Sequence, residues 1–286
     1  MDNARIQGGA NYIETVAGID GKGMSGHIME GVYATHPEFG ARSPYRQAPF
    51  ALANSTGAGH GTNTAGEVYA RGIQPQAKGM LPFAQMSYTN YNYVMNNNNR
   101  FSLTTTLVDP NQRYKAMFQT ASWGYGRTTQ YTSRSAEMDR IMYAHDKLLI
   151  TQSQSNAGAT SNPRMSRPQA WAKNIIGVGG FKHYNNSNAN DDCWCRSGST
   201  GPAADGRISV TFGAYYDSIY TTSGSSGYTS GFGGTSGATP IVNGLAGLTI
   251  QLFTEGLFGY PKATWQNRFS HLPYFSTTKA IMVANS

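Results

Sequence analysis

One serine, one histidine and one amide in this chain stand in surroundings suited to acyl transfer. Ser236 lies in Gly233-Gly234-Thr235-Ser236-Gly237-Ala238-Thr239-Pro240, just before a run in which Val242, Leu245, Ala246, Leu248 and Leu252 recur at helical spacing. A helix apolar on nearly all sides belongs inside a protein, and Pro240 suits its first turn. Gly237, Gly244 and Gly247 each cost about 1 kcal/mol relative to Ala there, which close packing or close substrate approach would justify. A serine at such a helix mouth faces free amides and the positive end of the helix dipole, so an anion forming beside it is stabilised. Flanking glycines leave room for a substrate carbonyl, the setting of a nucleophilic serine. The same residues also suit a Gly/Ser loop that caps a core helix through Thr235 or Ser236.

A base for that serine is at hand in Gly59-His60-Gly61-Thr62-Asn63-Thr64-Ala65-Gly66, where His60 precedes a short helix-like run (Ala65, Val68, Tyr69) with Thr62 as its cap. Gln154-Ser155-Asn156-Ala157-Gly158 follows the apolar run Leu148-Leu149-Ile150, which puts the Asn156 amide at a strand's carboxyl end. Such an amide can donate to an oxyanion.

In order, G-H-G-T-x-x-A-G, N-x-G and G-T-S-x-A-T-P-x-V resemble the subtilisin-like serine proteases, the subtilase family. The order acid, His, Ser is that family's and differs from the chymotrypsin and α/β-hydrolase orders. The resemblance implies a nucleophile at Ser236, a base at His60, and an oxyanion hole from Asn156 and the Ser236 amide. It also implies an α/β fold: a doubly wound, mostly parallel sheet with helices on both faces and a buried helix after the nucleophile. The alternation of strand and helix lengths agrees. Residues 1–286 are expected to form a single catalytic domain.

The acid is where the chain departs from the family. Glu30-Gly31-Val32 stands in place of Asp-x-Gly-(V/I), ahead of His36-Pro37-Glu38-Phe39, which matches the family's His-Pro turn. Asp20 competes, since Val16-Ala17-Gly18-Ile19-Asp20-Gly21 superficially resembles a strand ending in the family's aspartate. Only Glu30, however, stands directly before Gly31-Val32 and shortly before His36-Pro37. Glu30 is therefore expected as the triad acid, its extra methylene offsetting the missing residue, and His36 as a packed or capping side chain. Gln119 to Gly124 resembles the strand ending in S-x-G whose backbone lines the primary specificity pocket, so Ser122, Trp123 and Gly124 are expected to meet substrate. The Trp123 and Tyr125 rings suit either substrate or core. Gly72-Ile73-Gln74-Pro75 follows Gly66 almost at once, without room for the loop that carries calcium in many relatives. No metal site and no cofactor are expected.

Composition narrows the class. Charged residues make up 13%, against 34 Gly and 18 Tyr, which reads as a loop-rich, secreted or otherwise extracytoplasmic protein. The formal net charge of +7 is spread, and no Lys/Arg run marks a nucleic-acid footprint. No apolar run approaches the ~20 residues of a membrane span. The expected partner is thus a polypeptide substrate, not nucleic acid or membrane, with a propeptide outside these residues as a further partner. No signal peptide opens the chain, so the expectation is a mature or excised domain with an added start Met. Cys193-Trp194-Cys195 suits a local disulfide or free thiols, and less well a metal site with Asp191, Asp192 or His183.

Among the other elements, Met138, Ile141, Met142 and His145 predict an amphipathic helix over 135–146. Strands are expected at Leu148–Thr151 and Ile175–Gly179 and a last helix at Thr277–Asn285, with loops at Arg42–Thr56 and Asn96–Asn99. The first 22 residues read as an entry segment anchored by Tyr12, Ile13 and Val16, and Gly224–Gly234 as a Gly/Ser-rich approach to the nucleophile. The function expected is a serine endopeptidase working through an acyl-enzyme. Its rivals are a peptide ligase or macrocyclase on the same fold, and a non-catalytic extracellular binding module.

Overall fold

The computed structural model describes residues 1–40, 46–47, 58–264 and 267–286. Of the loop expected at Arg42–Thr56, only Arg46–Gln47 falls within them, as a short strand. The short apolar runs become parallel strands buried on both faces, and the amphipathic runs become the helices that cover them. In chain order these are α1 (Asp2–Gln7), α2 (Ala10–Ala17), β1 (Ser25–Ile28), β2 (Arg46–Gln47), α3 (Ala58–Tyr69), β3 (Gln85–Tyr88), α4 (Tyr91–Asn97) and α5 (Arg100–Val108). There follow β4 (Phe118–Ala121), α6 (Ser133–Ala144), β5 (Leu149–Ser153), β6 (Ile176–Phe181), β7 (Val210–Tyr215), β8 (Ile219–Ser223), β9 (Gly227–Phe232), α7 (Thr235–Thr254) and α8 (Phe275–Ala284).

Seven strands form one sheet in the order β2-β3-β1-β4-β5-β6-β7, every pairing parallel, and β8 and β9 form a separate antiparallel hairpin. From β1 the chain crosses to the edge strand β2, comes back to β3, and then passes to β4 on the other side of β1 and winds outward to β7. That reversal opens a crevice at the carboxyl ends of β1 and β4, where open α/β sheets bind ligands. Side chains alternate across the sheet. Ile28, Phe118 and Leu149 join the core cluster that holds α3 and α7. Their neighbours Met29 and Ala121 pack under α4 and α5, and Ile150 under α6. The fold expected from the sequence, a doubly wound parallel sheet with helices on both faces, is the one observed.

α7 is the central helix, packed against β4, β5, β6, β7, α3 and α8. Its glycines are explained by contact: a Cβ at Gly244 would run into the Met80 side chain, and one at Gly247 into Leu81 and Phe118. Pro240 sits in the second turn of α7 rather than the first, because the helix already begins at Thr235. The entry segment is also more ordered than expected. It forms α1 and α2, anchored by buried Met1, Ala4 and Ala10, while Tyr12 and Val16 are exposed. Asn96–Asn99 closes α4 and leads into α5, with Asn98 in the left-handed region, so it is a helix junction and not a loop. The Gly/Ser-rich approach is the β8–β9 hairpin, whose Thr221 and Thr222 hydroxyls donate to the Asn63 and Thr62 carbonyls of α3. Cys193 and Cys195 are joined by a disulfide.

Candidate active site

Each expected chemical group lies where an element ends at the crevice. Glu30 follows β1, Ser122–Gly124 follow β4, Asn156 follows β5, and Ser236 is the second residue of α7. His60 lies in the first turn of α3 rather than ahead of it. Thr62 is accordingly no cap: it is inside the helix, donating to Ala58 O at 2.6 Å and accepting from Tyr33 N at 2.8 Å. That second bond ties the chain just past Glu30 to the helix that carries His60.

The acid and base meet directly. His60 Nδ1 donates to Glu30 Oε2 at 2.5 Å, with the carboxylate 1% exposed and the imidazole side chain 41% exposed. A Cβ at Gly61 would lie 2.7 Å from Glu30 Cβ, so glycine is what allows α3 to approach this closely. The Thr64 hydroxyl, one turn beyond His60, lies 3.4 Å from Glu30 Oε1 and donates to Gly61 O at 3.0 Å. The Glu30 charge raises the His60 pKa above its ordinary value, against burial, which lowers it. The Phe232 ring presents an edge-on face 5.4 Å from the imidazole. Asp20 lies before the amino end of β1, on the far side of the strand from Glu30, and its carboxylate caps Lys22 N at 2.8 Å.

The Ser236 segment is shaped by Pro240. Lacking an N–H, Pro240 cannot take up the carbonyl four residues back, which is that of Ser236. The Ser122 hydroxyl donates to this freed carbonyl at 2.9 Å, and the Ser236 hydroxyl donates to Ser122 O at 3.4 Å. The second contact is long and weak. Ser236 makes no hydrogen bond to His60 here; nucleophile–base bonds in empty sites are often loose and tighten around substrate. Gly234, at φ 76°, turns the chain into α7, a conformation that glycine adopts freely.

Asn156 is exposed, and its orientation is set by Thr235, whose N–H and hydroxyl both donate to Asn156 Oδ1, at 2.9 and 3.0 Å. The amide nitrogen therefore faces outward, and among the described residues it has no hydrogen-bond partner. Of the residues expected to meet substrate, Trp123 turns its ring to the core, the second of the two placements that its sequence allows. Its ring is 7% exposed, stacked on Tyr91 at 5.3 Å within the cluster under α4 and α5, and its carbonyl accepts from Gln152. An indole this large packs with the apolar residues that face it, so the Trp123 side chain belongs to the core. Ser122 and Gly124 stay at the crevice. His36 caps the turn after it, its Nδ1 accepting from Glu38 N at 3.2 Å.

Thr64 and Thr235 were not foreseen. Their signals were present in the sequence, a hydroxyl four residues after His60 and another beside Ser236. Among the described residues, no cluster of His, Cys, Asp or Glu has the makings of a metal site.

A sequence model of the subtilase family matches residues 43–284. The match covers His60, Asn156 and Ser236 but begins after Glu30. No curated protein matches. Among solved structures, the chain is similar to that of the prenylagaramide maturation protease PagA, at 15% identity and a TM-score of 0.64, covering 93% of this chain and 98% of that one. It is also similar to an S218A mutant of the protease domain of PatA, at 14% identity and a TM-score of 0.61, covering 94% and 98%. The self-cleaved protease domain of PatA gives 15% identity and a TM-score of 0.60, covering 93% and 99%.

Proposed function

The chain belongs to the subtilase family of serine proteases, and we propose that its 286 residues form one catalytic domain that hydrolyses peptide bonds through a Glu30–His60–Ser236 triad. The observation that carries this reading is the 2.5 Å contact of His60 Nδ1 with buried Glu30, beside a serine at the mouth of α7. Ser236 Oγ attacks the scissile carbonyl while His60 Nε2 takes its proton. Glu30 fixes the tautomer and stabilises the imidazolium. The oxyanion is met by Asn156 Nδ2 and the Ser236 amide, and removing one such donor costs about 3 kcal/mol of barrier. The imidazolium then protonates the leaving amine as the C–N bond breaks. Water enters, gives its proton to His60 and hydrolyses the ester, and Ser236 regains its hydrogen.

The working compartment proposed is outside the cytoplasm, where a bond such as Cys193–Cys195 persists. Among the described residues, no helix is long and apolar enough to cross a membrane.

The test is active-site labelling with a fluorophosphonate, alongside peptide hydrolysis followed by mass. The native chain should label at Ser236 and release free acids, even with a competing amine present. Ser236→Ala should lose labelling and about 10⁶ in kcat, with its circular dichroism unchanged. Proteolysis at native rates by the purified variant would overturn the reading.

A further inference from the structure

Two arginines stand at the crevice with no carboxylate to neutralise them. β4 and β5 are neighbours, and the chain leaving them forms the two walls Ser122–Gly124 and Gln154–Asn156. Arg167 spans the gap between these walls. Its backbone N–H donates to Gln154 O at 2.9 Å, and its Nη1 donates to Tyr125 O at 2.9 Å. A Cβ at Gly124 would lie 2.7 Å from Arg167 Cβ and 2.8 Å from Cγ, so the side chain lies directly on that glycine. Arg127 approaches from the rim. Its Nε donates to Ser155 Oγ at 2.7 Å and its Nη2 to Asn156 O at 3.5 Å, clamping the residue before the free Asn156 amide. Ser155 is held at φ 122°, a conformation that non-glycine residues rarely adopt and that clusters at functional sites.

The two cations feel one another. Burial first, and the charge of Arg127 second, lower the Arg167 pKa. Among the described residues, neither guanidinium is in an ion pair, although Arg134 and Arg207 nearby each have an acidic partner. A half-buried positive charge beside an exposed one is repelled by it, and a third charge of opposite sign relieves both. The gap they face lies beside Asn156 Nδ2, where the scissile carbonyl oxygen would rest. The side chain nearest that carbonyl is that of the residue bearing it.

We propose that Arg167 and Arg127 form a specificity subsite that selects a glutamate or aspartate as the residue whose carbonyl is cleaved. The inference rests on the triad reading for the direction of the substrate. Arg167 supplies the charge within the gap and Arg127 the charge at its mouth. A carboxylate can take the N–H groups that each guanidinium still has free, in the forked geometry arginine favours.

The experiment uses matched fluorogenic peptides differing only in Glu, Gln, Phe or Lys at that position. The native chain should cleave the Glu peptide with kcat/KM about 10²-fold above its Gln isostere, and Lys worst, because the half-buried Arg167 charge left unanswered penalises the neutral analogue. Raising the ionic strength should narrow the ratio. Arg167→Gln should bring the Glu/Gln ratio to near unity while leaving the Phe peptide cleaved. Arg167→Lys, which keeps the charge without the fork, should retain a reduced Glu preference, which a merely structural loss would not allow. Arg127→Gln, at an exposed position, should lower the ratio by about tenfold.

Binding of the uncleaved Glu and Gln peptides to Ser236→Ala separates this inference from the triad reading. Tighter Glu binding that disappears with Arg167→Gln supports the subsite even if no peptide is hydrolysed, and in that case only the triad reading fails. Equal binding and equal cleavage of the Glu and Gln peptides, or a Glu preference unchanged in Arg167→Gln, overturns the subsite.

Discussion

Replacing Glu30 by Gln removes a charge from the proposed triad while leaving its shape. The carboxylate is buried, accepts from His60 Nδ1 at 2.5 Å, and is the leading cause of the raised His60 pKa. A glutamine has two ways to sit there. With its NH2 toward the ring, Nδ1 must accept and the proton moves to Nε2, which can then no longer take one from Ser236. An isosteric loss of this kind costs about 10⁴ in kcat in serine proteases. With its oxygen toward the ring, the NH2 faces Thr64 Oγ1, which lies 3.4 Å from Oε1 and already donates its hydrogen to Gly61 O at 3.0 Å. That hydroxyl oxygen can accept the amide N–H, so the productive tautomer stays available. The expected loss is therefore about 10²–10³ in kcat, or about 3–4 kcal/mol of barrier, with KM little changed. Glu30→Asp keeps the charge but draws the carboxylate back by one methylene, and a loss of about 10²-fold follows from the misplacement.

The pH profile gives a second reading of the same change. A raised pKa keeps His60 protonated to higher pH, so the base form appears only as pH climbs past that value. The acid limb of kcat/KM should then lie above the ordinary 6.5 in the native chain and move down in Glu30→Gln. Steady-state hydrolysis of one fluorogenic peptide across pH measures both effects. Native kcat in Glu30→Gln with an unmoved acid limb, together with collapse in Asp20→Asn, would refute the reasoning.

Other perturbations probe the rest of the site and its frame. Asn156→Ala should lower kcat by about 10²–10³ with KM nearly constant, since the donor acts on the transition state; an effect on KM alone would make Asn156 a ground-state contact. Gly244→Ala should destabilise by about 1–3 kcal/mol in chemical unfolding, because the added methyl meets Met80 and overpacks the core. An increase in stability there would show that α7 can move aside. Glu67 is fully buried in α3, neither of its oxygens has a hydrogen-bond partner among the described residues, and burial raises its pKa well above 4.5. The unfolded chain gives up this proton near 4.5 while the folded chain keeps it, so stability falls as pH rises from there toward the folded pKa. Glu67→Gln should abolish that part of the decline, and a melting curve unchanged across pH would argue against it.

Much of this architecture was legible because strong local signals agreed with the global fold. The amphipathic run Met138–Met142 became α6, and the apolar run after Pro240 became the central helix. The contact of Glu30 with His60 is the one expected from the spacing of Glu30 to Gly31 and His36, although the family match itself starts later. What escaped depends on contacts distant in sequence. Nothing local says that Thr62 would lie inside α3, since the helix starts earlier, at Ala58, and leans on β8. The packing of the Trp123 ring is not legible locally, because Tyr91 on α4 and Arg100 on α5 decide which way it lies. Arg127 and Arg167 are forty residues apart in ordinary loop sequence, and the antiparallel backbone bridge between their neighbours Thr128 and Ser166 is what brings them together. Pro240 misled by one turn, because its value lies in the carbonyl it leaves open and not in starting the helix.

The place of α7 in the chain order sets when the enzyme can exist. Glu30 and His60 leave the ribosome early, but the helix that carries Ser236 also fills the space against β4, β5, β6 and β7, and it is made late. At ordinary elongation rates it follows Glu30 by tens of seconds. Until then the nascent chain lacks the proposed nucleophile and has no closed core. Peptide-cutting power and the finished fold therefore arrive together, and a truncated or stalled chain is harmless to its neighbours for the same reason that it is unfolded.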